Sequence, residues 1–194
     1  MLKIGITGGI GTGKSFISKI ISELGYPVFD SDKEAKRILI ESIEVHQELK
    51  KLFGNDIFDG TIPDTKKIAA LVFNSKDKLE LLNQIIHPAV KKNFEDWILK
   101  QKTDLIFKEA AILIESGSYK DCDKIIVVHA PISLRISRVM KRDNVTDEMV
   151  KQRMNNQMQS EDLIKYADFI IENDEHQPLL PQINFIITQL IKLC

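Results

Sequence analysis

Gly8-Gly9-Ile10-Gly11-Thr12-Gly13-Lys14-Ser15 is the stretch that decides the fold, because it satisfies G-x-x-x-x-G-K-[ST] at every position. Residues 3–7 before it form a short β-branched run that predicts a strand. After it, Ile17, Ile20, Ile21 and Leu24 fall at helical spacing, and Gly25 supplies a stop. Glycines allow the backbone to turn its N–H groups inward around an anion. A helix starting near Gly13 adds its unpaired first-turn amides and the positive end of its dipole. Lys14 then has the reach for β- and γ-phosphates, and the Ser15 hydroxyl is a ligand for Mg²⁺. The nucleotide contacts assigned to this stretch are Gly8, Gly9, Gly11, Thr12, Gly13, Lys14, Ser15 and Phe16. They point to a nucleoside triphosphate and leave the phosphate acceptor open.

Further strands are predicted at residues 27–29, 105–107, 112–114, 124–129 and 169–171. Their apolar runs are continuous, as parallel strands covered on both faces require, so the order argues for an α/β sandwich. Residues 33–101 break the rhythm with helical patterns and no strand. Their clearest stripe is Val90, Phe94, Trp97 and Ile98, in a helix predicted to start beside Pro88, with Trp97 read as core. A second interruption, residues 138–157, carries Arg138, Lys141, Arg142, Lys151 and Arg153. Met149, Met154 and Met158 read there as packing residues.

The chain has 194 residues, 43 % hydrophobic and 28 % charged, which excludes a disordered tail or a fibrous repeat. Lysine plus arginine number 27 against 28 acidic residues, so attraction to nucleic acid is not built into the whole chain. Cys122 and Cys194 lack metal-ligand spacing and fit a reduced cytoplasmic setting. No apolar run approaches the ~20 residues of a bilayer span. The opening residues turn glycine-rich too soon for a signal peptide. A cytoplasmic monomer with a small-molecule substrate, and neither nucleic acid nor membrane as partner, is the expectation.

Asp30 and Asp32 follow the second strand, and ligands of open α/β sheets sit beyond the carboxyl ends of strands. A carboxylate there can orient an acceptor or take a late proton; with an ordinary pKa near ~3.9 it is a poor outright base. Capping of the next helix is an equal alternative.

These residues resemble the dephospho-CoA kinase family over nearly the whole chain. The phosphate loop is joined by Gly25-Tyr26-Pro27-Val28-Phe29-Asp30-Ser31-Asp32 and Ala35-Lys36-Arg37. Phe53-Gly54, Asp59-Gly60-Thr61-Ile62-Pro63-Asp64, Val72-Phe73 and Ile86-His87-Pro88 follow. Arg138, Arg142-Asp143, Arg153, Gln157, Ala167-Asp168 and Asn173 complete the pattern. Thr65, where an arginine is common, and Glu109-Ala110-Ala111-Ile112-Leu113-Ile114-Glu115, which lacks a proline, depart from it.

The resemblance implies a P-loop kinase-type three-layer α/β sandwich with a five-stranded parallel sheet, a helical acceptor-binding insertion and a lid. The nucleotide-binding core would be residues 1–32 and 102–194, the lid about 138–157, and the acceptor domain 33–101. It implies ATP, Mg²⁺ and dephospho-CoA as reactants, with phosphorylation of the ribose 3′-hydroxyl. Asp32 takes the place of the proposed base. Beside the resemblance, the loop motif supplies Lys14, and a basic hairpin folding over the triphosphate would bring Arg142 to stabilise the transferring charge, with Arg138 assisting. Asp30, Asp32, His87 and Arg153 face the acceptor, although a histidine before a helix-starting proline is more often structural. Arg138 and Arg142, four apart, share a helix face, and Thr146 is placed to cap the next helix. A nucleotide kinase with another acceptor, or a switch that transfers no phosphate, are the rival readings.

Overall fold

A computed structural model describes residues 1–73 and 75–194; Asn74 and the side chain of Phe73, one of the landmarks quoted above, lie outside that description. In chain order the elements begin β1 (Leu2–Thr7), α1 (Lys14–Glu23), β2 (Val28–Asp30), α2 (Ser31–Glu41) and α3 (Ile43–Phe53). Then come β3 (Phe58–Asp59), β4 (Ile62–Pro63), α4 (Thr65–Phe73), α5 (Lys76–Ile98), β5 (Leu105–Glu109) and β6 (Lys124–His129). The chain ends with α6 (Ile132–Asp143), α7 (Asp147–Asn155), α8 (Ser160–Ile164), β7 (Phe169–Glu172) and α9 (Leu179–Ile191). Two compact units result, residues 1–30 with 102–194, and residues 31–101. The division falls after Asp30, so Asp32 belongs with the helical segment rather than the core of residues 1–32.

The first unit is a five-stranded sheet in the order β2-β5-β1-β6-β7, every neighbouring pair parallel. Alternate residues serve opposite faces. Ile4, Ile6, Leu105, Phe107, Ile126 and Val128 pack against Ile17 and Ile21 of α1 and Ile183, Ile186, Ile187 and Leu190 of α9. On the other face Ile125 and Val127 join Ala110, Leu113, Ile114 and Leu163. Both faces are thus covered, which is why the strands read as unbroken apolar runs. Phe107 is fully buried, and its truncation to alanine costs about 3–5 kcal/mol. Asp168 ties the last crossover to the sheet, accepting from the Ile125 amide at 2.8 Å and from Lys124 Nζ at 2.7 Å.

Residues 112–114 are not a strand. They lie in a run of turns after β5, and Leu113 and Ile114 are apolar because they are buried on the sheet's face, not because they pair at its edge.

Among its described residues the second unit is helical except for a hairpin the sequence reading lacked, Phe58–Asp59 against Ile62–Pro63, turning at Gly60. Ser42 Oγ accepts from the Val45 amide to open α3, and Asp64 Oδ1 accepts from Lys66 and Lys67 to open α4. Helix α5 does not start at Pro88. It starts at Lys76 with Ser75 as its cap, and Pro88 lies inside it, withholding the N–H that Gln84 would otherwise receive. Ile86, Val90 and Phe94 are buried, whereas Trp97 is only half-buried and stacks on Phe94 with ring centroids 6.0 Å apart. Asn93 Nδ2 reaches Glu34 Oε1 at 2.6 Å, joining α5 to α2. Among the described residues no helix is long and apolar enough to cross a membrane.

Candidate active site

The glycine loop leaves the carboxyl end of β1, the middle strand, and turns into α1. Gly13 makes that turn at φ 94°, a left-handed conformation that a side chain would strain, and its Cβ would collide with Asn173 Nδ2. The same Asn173 nitrogen donates to the Thr12 carbonyl at 2.8 Å, so the end of β7 holds the loop's exit. Thr12 Oγ1 closes back on the Gly9 carbonyl at 2.9 Å. Lys14, the first residue of α1, bends its ammonium over the loop and donates to Gly8 O at 2.7 Å and Gly9 O at 3.4 Å. A side chain so held, only 9 % exposed, already lies along the cradle.

Ser15 donates its hydroxyl to Glu109 Oε1 at 2.8 Å. Glu109 ends β5, is buried, and stands in register with Ile6 of β1 and Asp30 of β2. Hydroxyl and carboxylate therefore meet at the carboxyl edge of the sheet, beside the loop. Phe16 follows, 58 % exposed, with its amide bonded to Gly13 O at 3.0 Å.

Helices α6 and α7 form the hairpin the basic interruption suggested, and Thr146 Oγ1 caps α7 by accepting from Met149 N. Arg138 reaches the loop: it donates to Gly11 O at 3.4 Å and to Asn173 O at 3.1 Å, and pairs with Glu175 at 2.9 Å. Arg142 does not join it. It pairs with Asp143 at 2.7 Å, and Arg153 pairs with the same carboxylate at 2.6 Å. Bonding to Arg142, then to Arg153, holds the Asp143 carboxyl below the usual carboxylate range, while Asp143 raises the pKa of Arg142. Met149 is 45 % exposed, and Met158, beyond the end of α7, packs not within that helix but against the sheet-face cluster that contains Leu163.

Asp30 closes β2 in the sheet unit, whereas Asp32 lies in the first turn of α2 and His87 inside α5, half-buried, not at a helix start. The sequence reading gave no role to Arg135, Glu109 or Asp143. Arg135 is 4 % exposed and donates to Ile10 O at 3.0 Å and Ser160 Oγ at 2.8 Å; burial pushes its pKa down and Glu161 partly offsets this. A charged residue closing an apolar strand was the available signal for Glu109.

A parallel sheet whose central strand feeds a glycine loop, with a lysine over that loop and an arginine hairpin against it, defines a P-loop kinase. A sequence model of the dephospho-CoA kinase family matches residues 2–178. Dephospho-CoA kinase of Porphyromonas gingivalis is 44 % identical over 188 residues, 96 % of this chain and 93 % of that protein. Two solved structures are similar. TT1252 from Thermus thermophilus has a TM-score of 0.85 at 31 % identity, covering 98 % of this chain and 96 % of that one. Dephospho-CoA kinase from Campylobacter jejuni has a TM-score of 0.69 at 28 % identity, covering 98 % and 97 %. The chain belongs to the dephospho-CoA kinase family, the enzymes of the final step of coenzyme A biosynthesis.

Proposed function

We propose that the chain transfers the γ-phosphoryl group of ATP to the ribose 3′-hydroxyl of dephospho-CoA, and that the residues named above divide the work. The observation that carries this reading is the meeting of Lys14 and Arg138 on one loop, the first on Gly8 O and the second on Gly11 O. Two cations so placed flank whatever anion the loop's amides hold. Phosphoryl transfer spreads charge over the equatorial oxygens, and fixed cations stabilise it without reorganising. Lys14 serves the β- and γ-phosphates, and Arg138 the nucleotide side. Arg142, assisted by Arg153, exchanges Asp143 for the transferring group. The hairpin excludes water that would hydrolyse ATP.

The donor set suits Mg²⁺. Ser15 and Glu109 offer oxygen only, and this ion takes few protein ligands beside phosphate and water. Bound there, Mg²⁺ would neutralise charge on the β- and γ-oxygens. Residues 31–101 are assigned to the acceptor, with His87 as a contact. Asp32 orients the 3′-hydroxyl and receives its proton late in the transfer, once the attacking oxygen has begun to bond to phosphorus and become more acidic. Asp30 supports that role from β2. The enzyme works as a cytoplasmic monomer.

The test is incubation with Mg-ATP and dephospho-CoA, with mass analysis of the product and nucleoside monophosphates as rival acceptors. One phosphate added at the 3′ position supports the reading. Transfer to the monophosphates alone refutes it, as does ADP release that ignores the acceptor.

A further inference from the structure

Ile10 sits at the tip of the glycine loop, and both of its main-chain polar groups are taken by side chains of the lid segment. Its N–H donates to Gln157 Oε1 at 2.8 Å, and its carbonyl accepts from Arg135 Nε at 3.0 Å. Arg135 belongs to the start of α6, and Gln157 follows the end of α7. The hairpin therefore grips the loop through backbone, on both sides of a single residue.

A trans peptide points its N–H and C=O in opposite directions, so fixing one group aims the other. With the Ile10 N–H on Gln157, the Gly9 carbonyl must point the other way, where it accepts from Thr12 Oγ1 at 2.9 Å and from Lys14 Nζ at 3.4 Å. With the Ile10 carbonyl on Arg135, the Gly11 amide hydrogen is aimed away from that arginine. Two successive peptides at the tip are oriented by two lid side chains.

Both anchors are themselves held. The Gln157 amide bonds to Met154 O at 3.1 Å, and the next amide, Met158, bonds to Glu115 Oε1 at 3.0 Å. Arg135 is buried, braced on Ser160, and its guanidinium fills the space that a Cβ on Gly9 would need. A glycine-rich tip has many conformations to lose. Affinity falls by the fraction of time a site spends out of its competent form, so anchors of this kind act on binding.

We infer that Gln157 and Arg135 are positioning residues of the phosphate site, which set the tip's peptide orientation and thereby couple the lid to ATP affinity. This rests on the glycine loop being the ATP site, and the experiment separates the two. Gln157→Met keeps the side chain's length and removes the acceptor. Calorimetry with Mg-ATP, without acceptor, is expected to give a Kd raised at least fivefold, while kcat at saturating ATP stays within twofold and Tm within about 2 °C. Exchange of the Ile10 amide hydrogen, followed by NMR, is expected to quicken at least tenfold. A smaller rise in Kd, or kcat and Tm falling with it, overturns the coupling and leaves the ATP site standing. Absence of Mg-ATP binding by the unaltered protein overturns both. Arg135→Lys, which cannot reach Ile10 and Ser160 together, should weaken Mg-ATP in the same direction; since this site is buried, the Gln157 variant decides.

Discussion

Ser15 and Glu109, 94 positions apart in sequence, share one hydrogen between hydroxyl and carboxylate at 2.8 Å, at the edge where β1 and β5 end. Removal of the carboxylate leaves the hydroxyl without its acceptor and takes away a charge where a divalent cation would bind. Glu109→Ala is expected to raise the Mg²⁺ concentration for half-maximal activity about tenfold or more, with a smaller change at saturating Mg²⁺. Activity titrated with MgCl₂ at fixed ATP checks this. An unchanged titration would remove Glu109 from the cation's surroundings.

Arg142 and Arg153 converge on Asp143, not on the loop, and in the proposed reaction phosphate would replace that carboxylate. Arg142→Ala is expected to lower kcat by about 10²–10³, the scale for losing a fixed cation at developing charge. An unchanged kcat in single-turnover measurements would take Arg142 out of the mechanism.

The same trio gives a pH signature. The native-state pKa of Asp143 is depressed by Arg142 and Arg153, so its stabilisation is full above the unfolded-state pKa of ~3.9 and is lost as pH falls through the lower native value. Asp143→Asn should therefore melt below the unaltered protein at pH 6, with the gap narrowing as the medium is taken below pH 4. Thermal melts across that range are the measurement; a gap independent of pH would show that the ion pairs contribute nothing.

Gly13→Ala combines a strained left-handed φ with a collision against Asn173. The conformational cost alone is about 1–2 kcal/mol. At about 2–4 °C per kcal/mol for a chain of this size, Tm should drop by about 5 °C or more once the collision is added. Calorimetry checks the drop, and a Tm within 1 °C would contradict the geometry.

Asp32→Asn keeps size and removes the acid–base group. The expected outcome is a large fall in kcat with the KM for ATP held. Near-normal turnover would reduce Asp32 to a helix-terminal carboxylate.

The two cysteines should differ in reactivity. Burial pushes the Cys122 thiol to about 11, so at pH 8 it is neutral, whereas Cys194 is exposed. Iodoacetamide at pH 8 is expected to label Cys194 and spare Cys122 in the folded protein, as peptide mass mapping would report.

The strand–loop–helix unit was legible because its spacing, its glycines and the periodicity of α1 all agree. The parallel sheet followed from apolar runs that both faces require. Residues 112–114 misled for the same reason: Leu113 and Ile114 satisfy the rule for a buried strand, yet they only cover one. Pro88 misled because a local rule favours it at helix starts, while Ile86, Val90 and Phe94 keep α5 continuous across it. The hairpin at Gly60 was too short to register as strands. Arg135 could not be read at all, since a basic residue in a charged helix looks solvated until the fold buries it against Ile10.

Leu2 of β1 pairs with Leu105, and Ile4 pairs on its other side with Lys124. Once made, β1 therefore waits for about a hundred residues before either flank is filled, some 5–20 s at ordinary translation speeds of ~5–20 residues/s. Asn173, which secures the Thr12 carbonyl, emerges later still. Until Asn173 is in place the cradle is unfinished, so an anion held there would draw the folding equilibrium forward only by binding the completed fold.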